Sequence, residues 1–84
     1  MSKHDKTREK LLRSQPPSDL KWLELKAFLK HLGYKQLNGS GSRRKFVHTK
    51  TKHLILCHEP HPSPDVDKGC INDITSRLKE IGLL

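Results

Sequence analysis

Apolar residues recur at steps of three and four in two segments of the chain, and each segment ends at a glycine. Such spacing places the apolar side chains along one stripe of a helix. Glycine readily adopts the left-handed conformation that ends many helices. The pattern therefore predicts one helix that ends at Gly33 and another that begins between Asp67 and Ile71 and ends at Gly82. Their apolar positions are Trp22, Leu25, Phe28, Leu29 and Leu32 in the first helix, and Ile71, Ile74, Leu78 and Ile81 in the second.

Three predicted strands lie between the helices, at residues 34–37, 43–49 and 53–58. Residues 49–52 join the last two strands as a hairpin. Residues 54–56 are apolar on both faces, so we expect the third strand to be the best-buried part of the sheet. The proline-rich stretch that follows it cannot pair as a central strand.

The two predicted helices each have one apolar stripe, so both should cover the same face of the sheet and leave the other face open. The predicted fold class is α+β. Its order is α-β-β-β-α, with two helices packed on one face of a three-stranded antiparallel sheet.

The first 17 residues differ from the rest because charged side chains dominate them. Pro16 and Pro17 prevent a helix from continuing through this point. We therefore divide the chain into a basic N-terminal arm or short helix at residues 1–17 and a domain at residues 18–84. Ser18 or Asp19 is expected to cap the helix that follows.

The net charge of the 84-residue chain is +8, and the excess of cations extends over most of its length. A field of this sign attracts polyanions, so nucleic acid is the first candidate partner, an acidic protein the second and an anionic membrane surface the third. No apolar run approaches the ~20 residues that a membrane-spanning helix needs. The first residues are too polar for a signal peptide, and the two cysteines are expected to stay reduced. We therefore expect a cytoplasmic protein with no membrane partner.

The segment 38–46 combines a flexible turn with consecutive cations and is the strongest candidate for a binding site. Glycine lets the backbone approach a bound group, serine supplies hydroxyl donors, and the cations have a geometry suited to phosphate. The predicted RNA-binding residues are Gly39, Ser40, Gly41, Ser42, Arg43, Arg44 and Lys45. The alternative is an ordinary loop followed by a solvated basic strand edge, which would block aggregation.

From residue 20 to the end, the chain resembles the HicA toxins of bacterial toxin–antitoxin systems. These are small proteins with an α-β-β-β-α fold like that of double-stranded-RNA-binding domains. Order and spacing carry the resemblance. The matching stretches are residues 20–26, 32–34 and 41–46, the step Pro60-His61, and residues 74–83.

The resemblance implies an endoribonuclease that cleaves messenger RNA without a cofactor and is held inactive by a HicB-type antitoxin that covers its active surface. In the family, a catalytic histidine usually follows the Gly-Ser pair of the turn, where this chain has Arg43. A guanidinium can stabilise the charge of a phosphorane-like transition state but stays protonated, so it cannot act as the base.

The missing base could come from another histidine, since imidazole titrates near neutral pH. His48 shares a strand face with Arg44, whereas His58 and His61 flank the proline-rich stretch. The candidate catalytic residues are therefore Arg43, His48, His58 and His61. Each histidine could equally be a surface residue that contacts a phosphate or the antitoxin.

Cysteine and histidine cluster after the third strand, but they lack the paired spacing typical of structural zinc sites. We therefore predict no metal site. The preferred function is a toxin that binds and cleaves messenger RNA. The alternatives are a non-catalytic RNA- or DNA-binding module on the same fold and an interaction protein for an acidic partner.

Overall fold

The computed structural model describes residues 3–13, 19–38, 41, 43–60 and 64–84. Within these residues the chain forms three helices and three strands. The elements are α1 (Lys3–Leu12), α2 (Trp22–His31), β1 (Tyr34–Asn38), β2 (Arg43–His48), β3 (Leu54–His58) and α3 (Lys68–Glu80). The predicted α+β class and the order of its elements are confirmed.

The three strands form one antiparallel sheet in the order β1-β2-β3. Strand β2 is central and pairs along its length with both neighbours. The β2–β3 hairpin turns at Lys52, whose φ of 64° is unusual for a residue with a side chain. The amide of Lys52 closes the turn by donating to the carbonyl of His48 at 2.9 Å.

Helices α2 and α3 pack on the same face of the sheet, as their single apolar stripes predicted. The core lies between this helical layer and the sheet. Its fully buried large side chains are Leu20, Leu25, Phe28, Leu29, Ile55, Ile71, Ile74 and Leu78. Gly33 and Gly82 follow α2 and α3 with φ values of 106° and 78°, so both glycine stops are confirmed.

Residues 3–12 of the N-terminal segment form helix α1, which packs against α2 and α3. Leu11 is buried in the common core. Arg8 donates from Nη1 to the carbonyl of Leu83 at 3.0 Å, and its guanidinium lies 5.5 Å from the centre of the Phe28 ring. Helix α1 therefore contributes to the same core as the rest of the chain.

Two local predictions are wrong. Strand β3 is at an edge of the sheet, and its side chains alternate between exposed and buried, with Leu54 and Leu56 42% and 52% exposed. An apolar triplet cannot distinguish a strand covered on both faces from an edge strand with one open face. At the start of α2 the N-cap is Lys21, whose side chain makes no capping hydrogen bond, and Ser18 lies outside the described residues. Asp19 instead lies 3.8 Å from the ammonium group of Lys10.

Helix α3 has the side-chain cap that α2 lacks. Asp67 is its N-cap, and a carboxylate oxygen accepts from the amide of Cys70 at 3.2 Å. The start predicted for this helix is confirmed. No helix among the described residues is long and apolar enough to span a membrane.

Candidate nucleic-acid interface

The face of the sheet opposite the helices carries both cations and apolar side chains. Strand alternation and the pairing register put eight residues there. We call this the open face; its members are Lys35, Leu37, Arg43, Lys45, Val47, Leu54, Leu56 and His58. The three described strands contain no acidic residue, so no strand carboxylate offsets the positive charge of this face.

Arg43 and His58 are direct partners in the β2–β3 ladder. Both side chains are exposed, and partners of this kind have Cβ atoms about 4.5–5.5 Å apart. Arg43 is therefore next to a histidine from the neighbouring strand. His58 is the last residue of β3 and not part of the following loop, so the sheet fixes its backbone.

Lys45 lies two residues after Arg43 on β2 and points to the same face. Its ladder partners are Leu37 on one side and Leu56 on the other, and all three side chains are exposed. Among the described residues, Lys10, Lys21, Arg44 and Arg77 form ion pairs with carboxylates, whereas Arg43 and Lys45 form none. These two cations are thus placed to contact an external anion.

Arg44 points to the covered side of the sheet and has a different environment. Its Nε lies 3.3 Å from a carboxylate oxygen of Glu59, and its Nη1 donates to the carbonyls of Gly41 and Arg43 at 2.9 and 2.8 Å. Gly41 has a φ of 58°, and a Cβ there would meet no atom within 4 Å, so the turn needs glycine for its conformation and not for space. Arg44 therefore holds the backbone at Gly41 and at the start of β2.

Four predicted site residues, Gly39, Ser40, Ser42 and His61, lie outside the described residues. Their roles in RNA binding and catalysis stay predictions. The described part of the basic turn consists of Gly41 and the start of β2.

His48 is on the covered side of β2 and is 7% exposed. Its Nε2 donates to the carbonyl of Leu32 at 3.0 Å, and its Nδ1 accepts from the amides of Lys50 and Thr51, both at 3.2 Å. Leu32 is the C-cap of α2, so the ring satisfies one of the carbonyls that a helix end leaves unpaired. A Cβ on Gly33 would lie 3.0 Å from Nε2. This geometry favours a structural role for His48.

The remaining described histidines also have neighbours within the fold. His53 shares a hydrogen bond of 2.9 Å with the hydroxyl of Tyr34 through Nδ1. The rings of His4 and His31 stack with their centres 4.2 Å apart. Burial raises the pKa of the Tyr34 hydroxyl, which keeps it protonated as a partner for His53.

Residue composition limits what the open face can do. Its members include no aromatic residue, because Tyr34 and Phe46 both point to the covered side. A protein that reads single-stranded RNA bases commonly stacks them on aromatic rings. Among the described residues, no group of three or more histidine, cysteine, aspartate or glutamate side chains could hold a metal ion. The arrangement is suited to phosphate contacts and to one acid–base group.

Sequence reasoning missed the apolar part of this surface. Leu37, Leu54 and Leu56 are between 42% and 52% exposed and lie around Lys45. The available signal was the period of two in β3, which puts Leu54 and Leu56 on one side and Ile55 on the other.

Residues 22–83 match the family model described as the HicA toxin of bacterial toxin–antitoxin. The chain belongs to the HicA toxin family. The match begins at the first residue of α2, so α1 lies outside the HicA region although it shares its core. No curated protein and no solved structure matches the chain significantly. Membership of the HicA family identifies a toxin of a toxin–antitoxin system and implies an antitoxin partner.

Proposed function

We propose that this HicA-family toxin binds messenger RNA on the open face and cleaves it beside Arg43 and His58. The observation that supports the proposal best is the register of β2 and β3, in which these two residues are direct partners. The protein would act in the cytoplasm, where messenger RNA is translated. The proposed chemistry requires no cofactor.

Binding would depend mainly on phosphate contacts. Arg43, Lys45 and Lys35 are exposed on one face, and a guanidinium can hold two phosphate oxygens at once. Since aromatic side chains are absent from the described open face, base stacking contributes little. We therefore expect strong dependence on salt and weak preference for sequence.

Cleavage would begin with removal of the 2′-OH proton by His58 in its neutral form. The 2′ oxygen then attacks the adjacent phosphorus, the bond to the 5′ oxygen breaks, and the leaving 5′ oxygen takes up a proton from water. Arg43 would stabilise the negative charge on the phosphoryl oxygens as the reaction proceeds. A base of this kind typically contributes about 10²–10⁴-fold to the rate. The products would carry a 2′,3′-cyclic phosphate and a 5′-hydroxyl.

The antitoxin would occupy the same face. Exposed leucines beside cations match a protein surface that has apolar residues and carboxylates, and they match a phosphate backbone less well. A HicB-type antitoxin bound there would bury Leu54 and Leu56 and exclude RNA from Arg43 and Lys45. Inhibition would thus follow from competition for one surface.

The decisive experiment measures cleavage of a labelled single-stranded RNA by purified protein. His58→Ala should reduce the cleavage rate by about 10²–10⁴-fold. His31→Ala is the matched control, because His31 is an exposed histidine on α2. A strand of the same sequence with 2′-deoxy sugars should bind but stay intact, because it lacks the 2′-OH that acts as the nucleophile.

Arg43→His distinguishes an enzyme with a relocated base from one that has lost its base. If His58 is the base, the wild type cleaves RNA and Arg43→His adds little. If the base has been lost, the wild type is inactive and Arg43→His restores cleavage. If the wild type, Arg43→His and His58→Ala are all folded and all leave RNA intact, catalysis is excluded. The preferred function is then a non-catalytic RNA- or DNA-binding module. An absence of nucleic-acid binding as well would favour the interaction protein for an acidic partner.

A further inference from the structure

We infer that the helical side of the molecule carries a second interaction surface, which binds an acidic amphipathic helix of a partner protein. The surface consists of two grooves, one on each side of an exposed ridge on α2. It belongs mainly to the helical layer, whereas the open face is on the other side of the sheet, so the inference is independent of the proposed action on RNA. We call it the helical surface; the members that decide its chemistry are Leu23, Lys26, Ala27, Lys30, Tyr34 and Phe46.

The ridge is formed by Leu23 and Ala27, which lie about one turn apart on α2. Leu23 is 71% exposed, more than any other large apolar side chain in the part of the chain that the structure describes. Both residues line both grooves, and neither belongs to the buried stripe of α2. A single exposed leucine is common on protein surfaces. One that separates two grooves gives a partner an apolar ridge to contact and two places for its own side chains.

The first groove lies between α2 and the β1 edge of the sheet and has a volume of about 670 Å³. Tyr34 and Phe46 line it and are almost fully buried, so they form its floor. Leu23 and Ala27 form the wall on the side of α2. Aromatic and aliphatic groups on two sides of a groove suit an apolar side chain from a partner.

The second groove lies between α1 and α2 and has a volume of about 440 Å³. Lys3, Lys6 and Lys10 line it from α1. Glu24 is the acidic residue among the described residues that line this groove, and it is bound to Lys10 at 3.1 Å. Since the match to the HicA family begins at residue 22, the α1 wall lies outside the family region. Membership of the family therefore does not imply the helical surface.

Charge determines the chemistry of the partner. Lys26, Lys30 and Lys35 line the first groove, and no acidic residue is among its described lining residues. These three lysines form no ion pair with a described carboxylate. Lys35, at the edge of β1, also belongs to the open face. The ammonium group of Lys26 lies 6.0 Å from the centre of the Trp22 ring. Cations around an apolar groove are complementary to apolar side chains that are flanked by carboxylates.

The shape of the helical surface favours a helix as the partner. Side chains four residues apart form a ridge on a helix, and two helices pack by placing the ridges of one into the grooves of the other. Leu23 and Ala27 are such a pair, with a groove on each side. An amphipathic helix with an apolar stripe and carboxylates beside it would place its stripe against this ridge. A nucleic acid would satisfy the lysines, but its phosphates would leave Leu23 without an apolar contact.

The test uses a fluorescein-labelled peptide of about 18 residues, enough for five helical turns. It carries leucines at steps of three and four and glutamates at the other positions. Fluorescence anisotropy measures its binding to the full-length chain. We expect Leu23→Glu to weaken binding by at least about tenfold, because it puts a carboxylate at the centre of the surface. Lys30→Glu, at an exposed position, should weaken binding as well.

Two matched variants control for leucine loss and for charge. Leu56→Glu makes the same change at an exposed leucine of the open face and should weaken binding less than Leu23→Glu does. Lys79→Glu reverses an exposed charge on α3, away from both grooves, and should weaken binding less than Lys30→Glu does. Thermal unfolding of each variant confirms that it is folded.

The inference is overturned if the peptide does not bind, if folded Leu23→Glu protein binds it like wild type, or if Leu56→Glu has the larger effect. RNA affinity and sedimentation distinguish the other occupants. A salt slope for RNA that falls in Lys30→Glu but not in Lys79→Glu would assign the surface to nucleic acid. A dimer that Leu23→Glu dissociates would assign it to a second copy of the chain. Either result overturns the inference, and neither bears on cleavage beside Arg43 and His58.

Discussion

His48 and His58 lie on neighbouring strands of one small sheet, but they point to opposite faces. His48 is buried, and both of its ring nitrogens bond to backbone groups. His58 is exposed at the end of β3 and is the ladder partner of Arg43. The covered face uses its polar groups to hold the fold together, whereas the open face leaves its polar groups exposed. In such a domain, the side of the sheet on which a histidine lies is therefore the first guide to its role.

The largest expected effect is a difference in stability between substitutions on the covered face and on the open face. Phe46 is 2% exposed, and its ring meets that of Trp22 edge to face at 5.9 Å. We expect Phe46→Ala to lower the free energy of unfolding by about 3–5 kcal/mol because it opens a cavity in the core. Leu56→Ala, on the open face of the neighbouring strand, should change it by less than about 1 kcal/mol. Urea denaturation of both variants measures the difference. Equal losses would show that the open face is covered in the isolated protein.

A smaller effect separates the two histidines. His48→Ala removes the donor to the Leu32 carbonyl, and leaving a buried polar group unpaired costs about 1–3 kcal/mol. His58→Ala should leave the free energy of unfolding within about 0.5 kcal/mol of wild type. The cleavage rate per folded molecule should respond in the opposite way, with a loss only for His58→Ala. A folded His48→Ala protein that has lost cleavage would return His48 to the catalytic group.

RNA affinity tests whether the cations of the open face contact phosphate. Arg43→Ala with Lys45→Ala removes two cations of the open face. The slope of log affinity against log salt for single-stranded RNA should then fall by about 0.7 for each phosphate that the protein no longer neutralises. Lys50→Ala with Lys79→Ala, at two exposed positions outside the strands, should keep the wild-type slope. An unchanged slope in the first double variant would place the RNA elsewhere.

Arg44 sharpens this test. Since its guanidinium is bound to Glu59 and to turn carbonyls, Arg44→Ala should change the salt slope less than Arg43→Ala does. Affinity should still fall, because the turn loses the side chain that holds its backbone. A slope that falls equally for both variants would mean that Arg44 leaves the turn to contact phosphate.

Much of the fold could be predicted because its signals are local. Apolar spacing and terminal glycines determine where α2 and α3 lie, since one stripe and one left-handed residue define each helix. The site was harder because it depends on pairing between strands. The sequence puts Arg44 between two other cations, and only the strand alternation in the fold turns it toward Glu59. The partnership of Arg43 with His58 likewise depends on a register that neither strand carries alone.

The smallest expected effect concerns the turn that sets this register. Lys52 has a φ of 64°, which costs a residue with a Cβ roughly 1–2 kcal/mol. Lys52→Gly removes this strain but adds freedom to the unfolded chain, a loss of about 0.5–1 kcal/mol. We therefore expect a net gain of about 0.5 kcal/mol in the free energy of unfolding. Lys50→Gly, in the same turn but without a positive φ, should instead lose about 0.5–1 kcal/mol. Denaturant midpoints of the two variants should thus move in opposite directions. If both fall, the left-handed turn at Lys52 is not what aligns β2 with β3, and the pairing of Arg43 with His58 would need another cause.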